Sequence, residues 1–431
     1  MIWAIAPMRV RSSTPYAARM HFGRDGSDRV DSTSPRGAAA TRASTLTATP
    51  PLPSADAVND EFTLGRRPAL DGLRALSVLA VVLVHANVPY GEGGFLGVDV
   101  FFALSGFLIT TLLLEEVRDS RRISLKAFYA RRNRRLMPAF LLFIAVGFLV
   151  TAPGVHATQR HQLITGSITS LLYVRNWFQI ATNTTRDGYA HAHLWSLAVE
   201  EQFYFVWPIA MVGLTRLRRS NVARIVGLLI AASVLVSVVL ANGEPGRPRI
   251  YLATDTRAAQ LLAGALLAIL LKDSARLRTW FTRFAPIGLP LSVLAVGATM
   301  LSVRILGGAR FFRAYDRGGM AAFGLLVALV VGFLMFAPTS PVTRLLSSRP
   351  LVAVGRYSYA IYLWHVLVIN LFSPNNVFGF TLIGIDRVAI RTPVVILVST
   401  AVAAASMRFV EAPLQRRLFP WANHPKRGLP G

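Results

Sequence analysis

Long runs of apolar residues return at short intervals from Leu70 almost to the end of the chain. A helix of about 20 residues crosses the ~30 Å hydrocarbon core of a bilayer, and about ten runs approach that length. They lack the strict alternation of barrel strands, and backbone groups in lipid must be satisfied within their own segment. The pattern therefore predicts an all-α, polytopic transmembrane bundle. The predicted spans are 70–88, 95–114, 136–151, 194–214, 225–241, 256–271, 284–303, 318–337, 352–372 and 392–410.

Composition supports a membrane protein and narrows its chemistry. The 431 residues are 53% hydrophobic and only 16% charged, and the mean hydropathy is +0.47, which is too apolar for a soluble domain of this length. Cysteine is absent, so disulfides, thiolate metal sites and a cysteine nucleophile are excluded. We expect no metal site and no permanently bound cofactor.

The net charge is +25, and many of the arginines lie in the short connections between the apolar runs. In a soluble protein it would suggest nucleic acid, but arginines crowded between spans are typical of loops retained in the cytoplasm, so we expect no nucleic-acid partner. Loops after the second, fourth and sixth spans are the most basic, which predicts that both termini are cytoplasmic. The connection 304–317 is more basic than its predicted outer side requires.

Three regions follow from this pattern. Residues 1–63 are rich in Arg, Ser, Thr, Ala and Pro, which predicts a disordered N-terminal tail; a start codon assigned too far upstream is the alternative. Residues 64–417 form the predicted transmembrane domain, and 418–431 a short cytoplasmic tail. We expect a multi-pass protein of the inner (cytoplasmic) membrane, whose oligomeric state the sequence leaves open.

Ionisable residues inside the first span need an explanation, since a charge at the bilayer centre costs about 2.5–3.5 kcal/mol. His85 follows Arg74 by three helical turns, so both side chains share one helix face about 16 Å apart. An anion clamp and a proton acceptor facing one polar cavity would explain the pair. Alternatively, Arg74 pairs with Asp71 one turn back and His85 bonds to a neighbouring helix.

The fourth span begins with residues that also share one face. His193, Ser196 and Glu200 are spaced by about one helical turn each, so the carboxylate can orient an imidazole. Trp195 and the aromatics that follow it suit an interfacial belt equally well. Glu200 and the adjacent Glu201 cannot face the same partner, so we expect one at the site and the other in a structural pair.

The loop after the second span combines aromatic rings with guanidinium groups. Tyr129, Arg131, Arg132 and Arg135 suit the phosphates and adenine of coenzyme A. Retention of a basic loop in the cytoplasm explains their charges equally well.

Seven ordered segments together resemble the membrane-bound acyltransferase 3 family, the bacterial O-acyltransferases of surface polysaccharides and macrolides. The likeness runs from about Arg67 to Arg417. The segments are LDGLRALSVLAVVLVH (70–85), FLGVDVFFALSGFLIT (95–110), FYARRNRRLMPAF (128–140), HLWSLAVEEQFYFVWP (193–208), DTRAAQLLAGALLA (255–268), GRYSYAIYLWH (355–365) and FVEAPLQRR (409–417).

The resemblance implies that a basic residue and a histidine with ten residues between them, here Arg74 and His85, are both required for acyl transfer. It also implies further candidates that line the donor or acceptor path, with Arg356 included for its place at a helix start. These are the arginine cluster, Glu200 or Glu201, Asp255 with Arg257, and His365.

These expectations combine into one hypothesis. An acyl-CoA, with acetyl-CoA expected, binds from the cytoplasm through the arginine cluster, and His85 acts as general base on an acceptor hydroxyl. Glu200 or Asp71 orients or charges the site. The acceptor is a carbohydrate or glycolipid, such as a cell-surface polysaccharide or lipid-linked sugar, or else a macrolide-type metabolite. An acyl-histidine relay is a variant, and a transporter or flippase is the alternative of another class.

Overall fold

The computed structural model describes residues 62–154, 157–183, 191–242, 248–374 and 382–418, and this part of the chain is helical without a β-strand. The rest of the predicted tails, 1–61 and 419–431, lies outside the described residues. The helices are α1 Pro68–His85, α2 Leu96–Ser120, α3 Leu125–Thr151, α4 Ala157–Leu171, α5 Arg175–Thr182, α6 Trp195–Leu214, α7 Arg219–Leu240, α8 Pro248–Leu252, α9 Thr254–Asp273, α10 Ala275–Leu306, α11 Gly308–Ala314, α12 Met320–Phe336, α13 Pro341–Leu346, α14 Arg349–Phe372, α15 Val388–Ser406 and α16 Ala412–Leu418.

Within the described residues, nine helical segments are long and apolar enough to cross a membrane. They coincide with nine of the predicted spans, so the polytopic all-α architecture is confirmed. The remaining predicted span, 194–214, is the 20-residue helix α6. It has the length of a span, but Glu200, Glu201 and Gln202 give it a lower hydropathy than its neighbours.

Close contacts at two glycines show the relative direction of α1 and α2. A Cβ at Gly97 would lie 2.4 Å from the Ser77 carbonyl oxygen, and one at Gly94 would lie 2.1 Å from that of Ala80. Residue numbers therefore rise along α1 as they fall along α2, and the two helices are antiparallel.

Two other pairs of helices run in the same direction. Asp99 of α2 binds Arg257 of α9, and further along α2 a Cβ at Gly106 would overlap the Leu261 carbonyl oxygen of α9. Helices α1 and α14 are likewise parallel, in contact along most of their length. Three contacts mark that pairing: Asp71 with Gly355, Arg74 with Ser358, and His85 with His365. These directions agree with a chain that crosses the membrane back and forth.

Two details adjust the sequence prediction. Phe62, assigned to the N-terminal tail, is 5% exposed and packs against Phe107 and Phe336. The packed chain therefore includes residue 62, because that ring fills space between helices. In the unexpectedly basic connection 304–317, Arg304 pairs with Glu92 at 2.6 Å, so a local carboxylate offsets part of its charge.

Candidate functional site

A partly open cavity lies among α1, α2, α6 and α14. These helices meet closely because their glycines and small residues face one another, as at Gly97 and Gly355. The cavity is lined by Arg74, Val98, Phe101, Phe102, Ser105, Ser196, Leu197, Glu200, Ser358, Tyr359 and Tyr362. It therefore collects one cation, one carboxylate and several hydroxyl groups inside an apolar bundle.

The two charged groups of the cavity are each held by hydroxyl groups. Arg74 is 5% exposed, and its Nε and Nη2 donate to Ser358 Oγ at 3.2 and 3.0 Å. Oε1 of Glu200 accepts from Ser105 Oγ and from the Tyr204 hydroxyl at 3.2 Å. Arg74 thus bonds to a serine of α14 and not to Asp71, its expected alternative partner. A bound molecule would meet a fixed cation and a fixed anion.

Glu201 makes the structural pair that the sequence assigned to one of the two glutamates. Its carboxylate accepts from Arg132 Nη2 at 2.8 Å and from Nε at 3.3 Å. The guanidinium also lies 3.1 Å from the centre of the Tyr204 ring. Glu200 lines the cavity while Glu201 does not, so neighbours in sequence have separate surroundings.

Three histidines meet beyond the Tyr362 side of the cavity. The His365 ring lies 5.0 Å, centre to centre, from both His85 and His193. The Tyr362 hydroxyl donates to the His193 carbonyl at 2.7 Å and lies 2.5 Å from Ser196 Oγ. Tyr362 and Ser196 therefore separate the cavity from the histidine cluster, defined here as His85, His193 and His365.

Backbone carbonyls fix the tautomers of two of these rings. Nδ1 of His85 lies 2.8 Å from the Val81 carbonyl oxygen, and Nδ1 of His365 lies 2.6 Å from that of Tyr362. A carbonyl oxygen only accepts, so in the neutral rings the proton is assigned to Nδ1. Nε2 of each ring then carries the lone pair, and His85 Nε2 is available as a base.

His193 is the most isolated member of the histidine cluster. It is 5% exposed, and neither ring nitrogen has a hydrogen-bond partner within the described residues. Burial and the neighbouring histidines lower the pKa of His193 well below its ordinary value, so this ring is neutral at physiological pH. In the ranges that the structure describes, no three His, Asp or Glu side chains are arranged to hold a metal ion.

The sequence predicted that Arg74 and His85 face one polar cavity, but in the structure they do not line a common cavity. His85 is the last residue of α1 and is exposed there, whereas Arg74 is buried 11 residues earlier, about 16 Å along the helix. The link between them runs along α14, where Ser358 contacts Arg74 and His365 contacts His85.

A second, partly open cavity lies toward the other end of α14. Its lining includes Arg135, Arg356, Glu411 and Tyr359, and Tyr359 lines the first cavity as well. Nη1 of Arg135 is buried without a hydrogen-bond partner in the described chain. An unpaired buried donor of a cation is costly, and an anion in this cavity would satisfy it.

The other predicted coenzyme A residues have partners elsewhere. Arg131 pairs with Glu116 at 3.1 Å, Arg132 pairs with Glu201, and the Tyr129 hydroxyl donates to the Phe205 carbonyl at 2.6 Å. Of the predicted group Tyr129, Arg131, Arg132 and Arg135, Arg135 is the one that lines either of these two cavities.

Asp255 and Arg257 were expected together but are separate. Asp255 binds Arg249 at 2.5 and 2.8 Å. Arg257 binds Asp99 at 2.8 Å, both side chains 1% exposed, and its guanidinium lies 5.3 Å from the ring centre of Trp195. Asp71 is buried at the contact of α1 with Gly355 and lines neither cavity.

Several functional candidates were not singled out from the sequence. Ser358, Tyr359 and Tyr362 lie within the segment GRYSYAIYLWH, and Ser105 lies within FLGVDVFFALSGFLIT. Their signal was a hydroxyl at helical spacing from an ionisable residue, as Ser358 and Tyr362 lie seven and three positions before His365. Only the pairing of distant helices shows which of these hydroxyls meet Arg74 and Glu200.

Comparison with known proteins gives the geometry a context. The family described as "Acyltransferase domain" matches residues 67–407. The chain is 34% identical over 372 residues to a peptidoglycan O-acetyltransferase of Listeria monocytogenes, a match covering 82% of this chain and 56% of that protein. It is 31% identical over 361 residues to an O-acetyltransferase of Staphylococcus aureus, covering 82% and 58%. The chain thus spans a little over half the length of these curated relatives. No solved structure matches it.

Proposed function

The chain belongs to the acyltransferase domain family, and on that premise we propose that it transfers an acyl group, acetyl foremost, from acyl-CoA to a hydroxyl of a cell-envelope polysaccharide. Peptidoglycan is the first acceptor to test, because the name of the Listeria relative specifies it. The observation that carries the proposal is the cavity inside the helix bundle that Arg74 and Glu200 both line.

The polar groups follow a single line through the bundle. Arg135 and Arg356 line the second cavity, Tyr359 joins it to the first, and Arg74 and Glu200 line the first. The histidine cluster follows beyond Tyr362. Such a line suits a long donor whose phosphates are anionic and whose reactive thioester is distant from them.

Each group has a defined role in this proposal. Arg135 and Arg356 bind phosphate, and Arg74, about 16 Å before His85 along α1, donates to an oxygen of the extended donor while the thioester reaches His85. His85 Nε2 takes the proton of the acceptor hydroxyl while its oxygen bonds to the acyl carbon. The carbon–sulfur bond then breaks, and the thiolate of coenzyme A takes up that proton. The C-terminal end of α1 stabilises the positive ring that His85 becomes in between.

A two-step variant uses the same groups, with His85 as a nucleophile. In it, His85 Nε2 attacks the thioester and forms an acyl-imidazole, and coenzyme A leaves as the thiolate. The acceptor oxygen then bonds to the acyl carbon, the carbon–nitrogen bond breaks to release the neutral imidazole, and the hydroxyl proton passes to the coenzyme A thiolate. Radiolabelled acyl-CoA without acceptor distinguishes the routes: label remains on the protein only in the two-step variant.

The proposal includes an orientation. The Arg135 end faces the cytoplasm, where acyl-CoA is made and where basic loops are retained, and the His85 end faces outward in the cytoplasmic membrane. Both termini are then cytoplasmic. A transporter has no reason to consume a thioester, so vesicles that move sugar without acyl-CoA would favour that alternative.

Acyl-CoA consumption by purified protein with a soluble muropeptide acceptor tests the proposal. We expect His85→Ala to reduce turnover by at least 100-fold, since general bases contribute about 10²–10⁴. His161→Ala is the control, because His161 is an exposed histidine of α4 away from both cavities. Unchanged turnover in His85→Ala contradicts both chemical routes.

A further inference from the structure

The Nε2 lone pair of His365 faces His85, and His365 has no role in the reaction proposed above. Its Nδ1–H is held by the Tyr362 carbonyl at 2.6 Å, so its Nε2 can only accept. That nitrogen lies 3.4 Å from His85 Nδ1, and His365 is fully buried, at 0% exposure. Among the described residues, the only hydrogen-bond donor in reach of this nitrogen is His85.

The distance of 3.4 Å is that of a weak bond in the resting protein. Nδ1 of His85 donates mainly to the Val81 carbonyl at 2.8 Å, so the proton is shared between two acceptors. Once His85 takes up a second proton, its Nδ1–H becomes a charged donor, and charge-assisted hydrogen bonds are shorter and about twice as strong as neutral ones. The contact therefore strengthens as the reaction proceeds.

The surroundings of His365 favour a neutral acceptor. A carboxylate in this place would be costly to bury without a permanent partner, whereas an imidazole is neutral in the resting state. His193, on the other side of His365 at 5.0 Å between ring centres, is kept neutral by burial. No second positive ring then opposes the charge that develops on His85.

We propose that His365 is the positioning residue of His85: its Nε2 orients the base and accepts the Nδ1–H of the imidazolium formed during transfer. No proton needs to leave His85 for this role, so the proton balance of the reaction is unchanged. The inference rests on the proposed function, because it assigns a partner to the base of that reaction.

Two substitutions of His365 separate hydrogen bonding from packing. Oε1 of Gln accepts a hydrogen bond about where Nε2 of His does, while Leu fills the site with apolar atoms and accepts nothing. We expect His365→Leu to lower kcat about 10- to 100-fold with KM for acyl-CoA changed less than about threefold. We expect His365→Gln to recover kcat to within about fivefold of the unsubstituted protein. If the ring only packs, Leu would be tolerated at least as well as Gln.

The controls make the outcomes distinguishable. His191→Leu removes another buried histidine, one without a contact to His85, and should leave the kcat of transfer within about threefold. Protein amount and thermal melting are measured for every variant. If the unsubstituted protein transfers acyl groups, His85→Ala does not, and Leu at 365 equals or exceeds Gln, then only the His365 inference is overturned. If His85→Ala is as active as the unsubstituted protein, the proposed function fails and the inference with it.

Discussion

Two adjacent glutamates show how strongly the function of a residue depends on its direction. Glu200 points into the cavity with hydroxyl partners, whereas Glu201 neutralises the buried guanidinium of Arg132. The same substitution at the two positions should therefore have different consequences, one for chemistry and one for stability.

Glu200→Gln and Glu201→Gln are a matched pair of variants. Removal of the Glu201 charge leaves Arg132 unpaired in the bundle, so we expect a loss of about 3 kcal/mol in stability and a clearly lower melting temperature in detergent. Glu200→Gln keeps a hydrogen-bond acceptor, so it should melt normally but transfer acyl groups about 10- to 100-fold more slowly. Thermal melting and acyl-CoA consumption measure the two effects. A lower melting temperature for Glu200→Gln together with slower transfer for a stable Glu201→Gln would contradict the cavity role of Glu200.

Arg131 and Arg135 provide a second comparison at the same scale. Arg131 is paired with Glu116, while Arg135 has a buried unsatisfied nitrogen in the second cavity. We expect Arg135→Gln to raise KM for acyl-CoA about tenfold, because a charged hydrogen bond to phosphate is worth about 1.5–3 kcal/mol. Arg131→Gln should leave KM within about twofold. Equal effects would mean that the loop acts only through its total charge.

The sequence identified the residue types of the site better than their partners. Helical periodicity brought out Arg74, His85 and Glu200, because spacing along a single helix determines the face of a side chain. It did not show that Ser358 holds Arg74, that Asp99 pairs with Arg257, or that Asp71 lies outside the cavity. Those contacts join helices more than 150 positions apart, and local spacing contains no information on them.

At the scale of elements, the contact between α1 and α14 sets the geometry of the site. It brings Ser358 to Arg74 and His365 to His85, and it depends on a close approach at Gly355. A Cβ at that position would lie 1.9 Å from the Asp71 carbonyl oxygen. Close packing of small residues is the usual basis of helix association in membranes.

Gly355→Ala should therefore push α14 away from α1. We expect a loss of about 1–3 kcal/mol in stability and, because the two rings and the Arg74 bond separate, a fall in transfer activity larger than the loss of folded protein. Gly297→Ala on α10 is the control, since nothing lies within 4 Å of a Cβ there. Thermal melting and turnover per folded molecule are the measurements. Similar behaviour of the two variants would show that α1 and α14 need no glycine contact.

The sequence predicted which segments form helices because hydrophobic length alone decides insertion. All ten predicted spans correspond to helices, including α6, whose carboxylates reduce its hydropathy. Which helices pair could not be predicted, since lipid-facing and protein-facing sides of an apolar helix have nearly the same composition. For α14, the sequence thus singled out His365 and Arg356 but did not show that this helix packs against α1.

At the scale of the whole molecule, the directions of the helices agree with a chain in which successive spans cross the membrane in opposite directions. One labelling measurement then shows which end of the bundle faces the cytoplasm. Loops that follow even-numbered spans lie at the Arg135 end, which we propose to be cytoplasmic; loops that follow odd-numbered spans lie at the His85 end. The absence of cysteine makes the path testable by single cysteines without background labelling. Pro89 and Arg122 are exposed residues at the two ends.

We expect Pro89→Cys to react with a membrane-impermeant maleimide in intact spheroplasts and Arg122→Cys to react only after lysis. The positive-inside distribution requires this result, because Arg122 belongs to the basic loop before α3 and the loop of Pro89 has no basic residue. Both variants should label equally in detergent, which controls for local reactivity. The opposite pattern would place Arg135 and its cavity outside, away from cytoplasmic acyl-CoA, and would leave the proposed donor path without a donor.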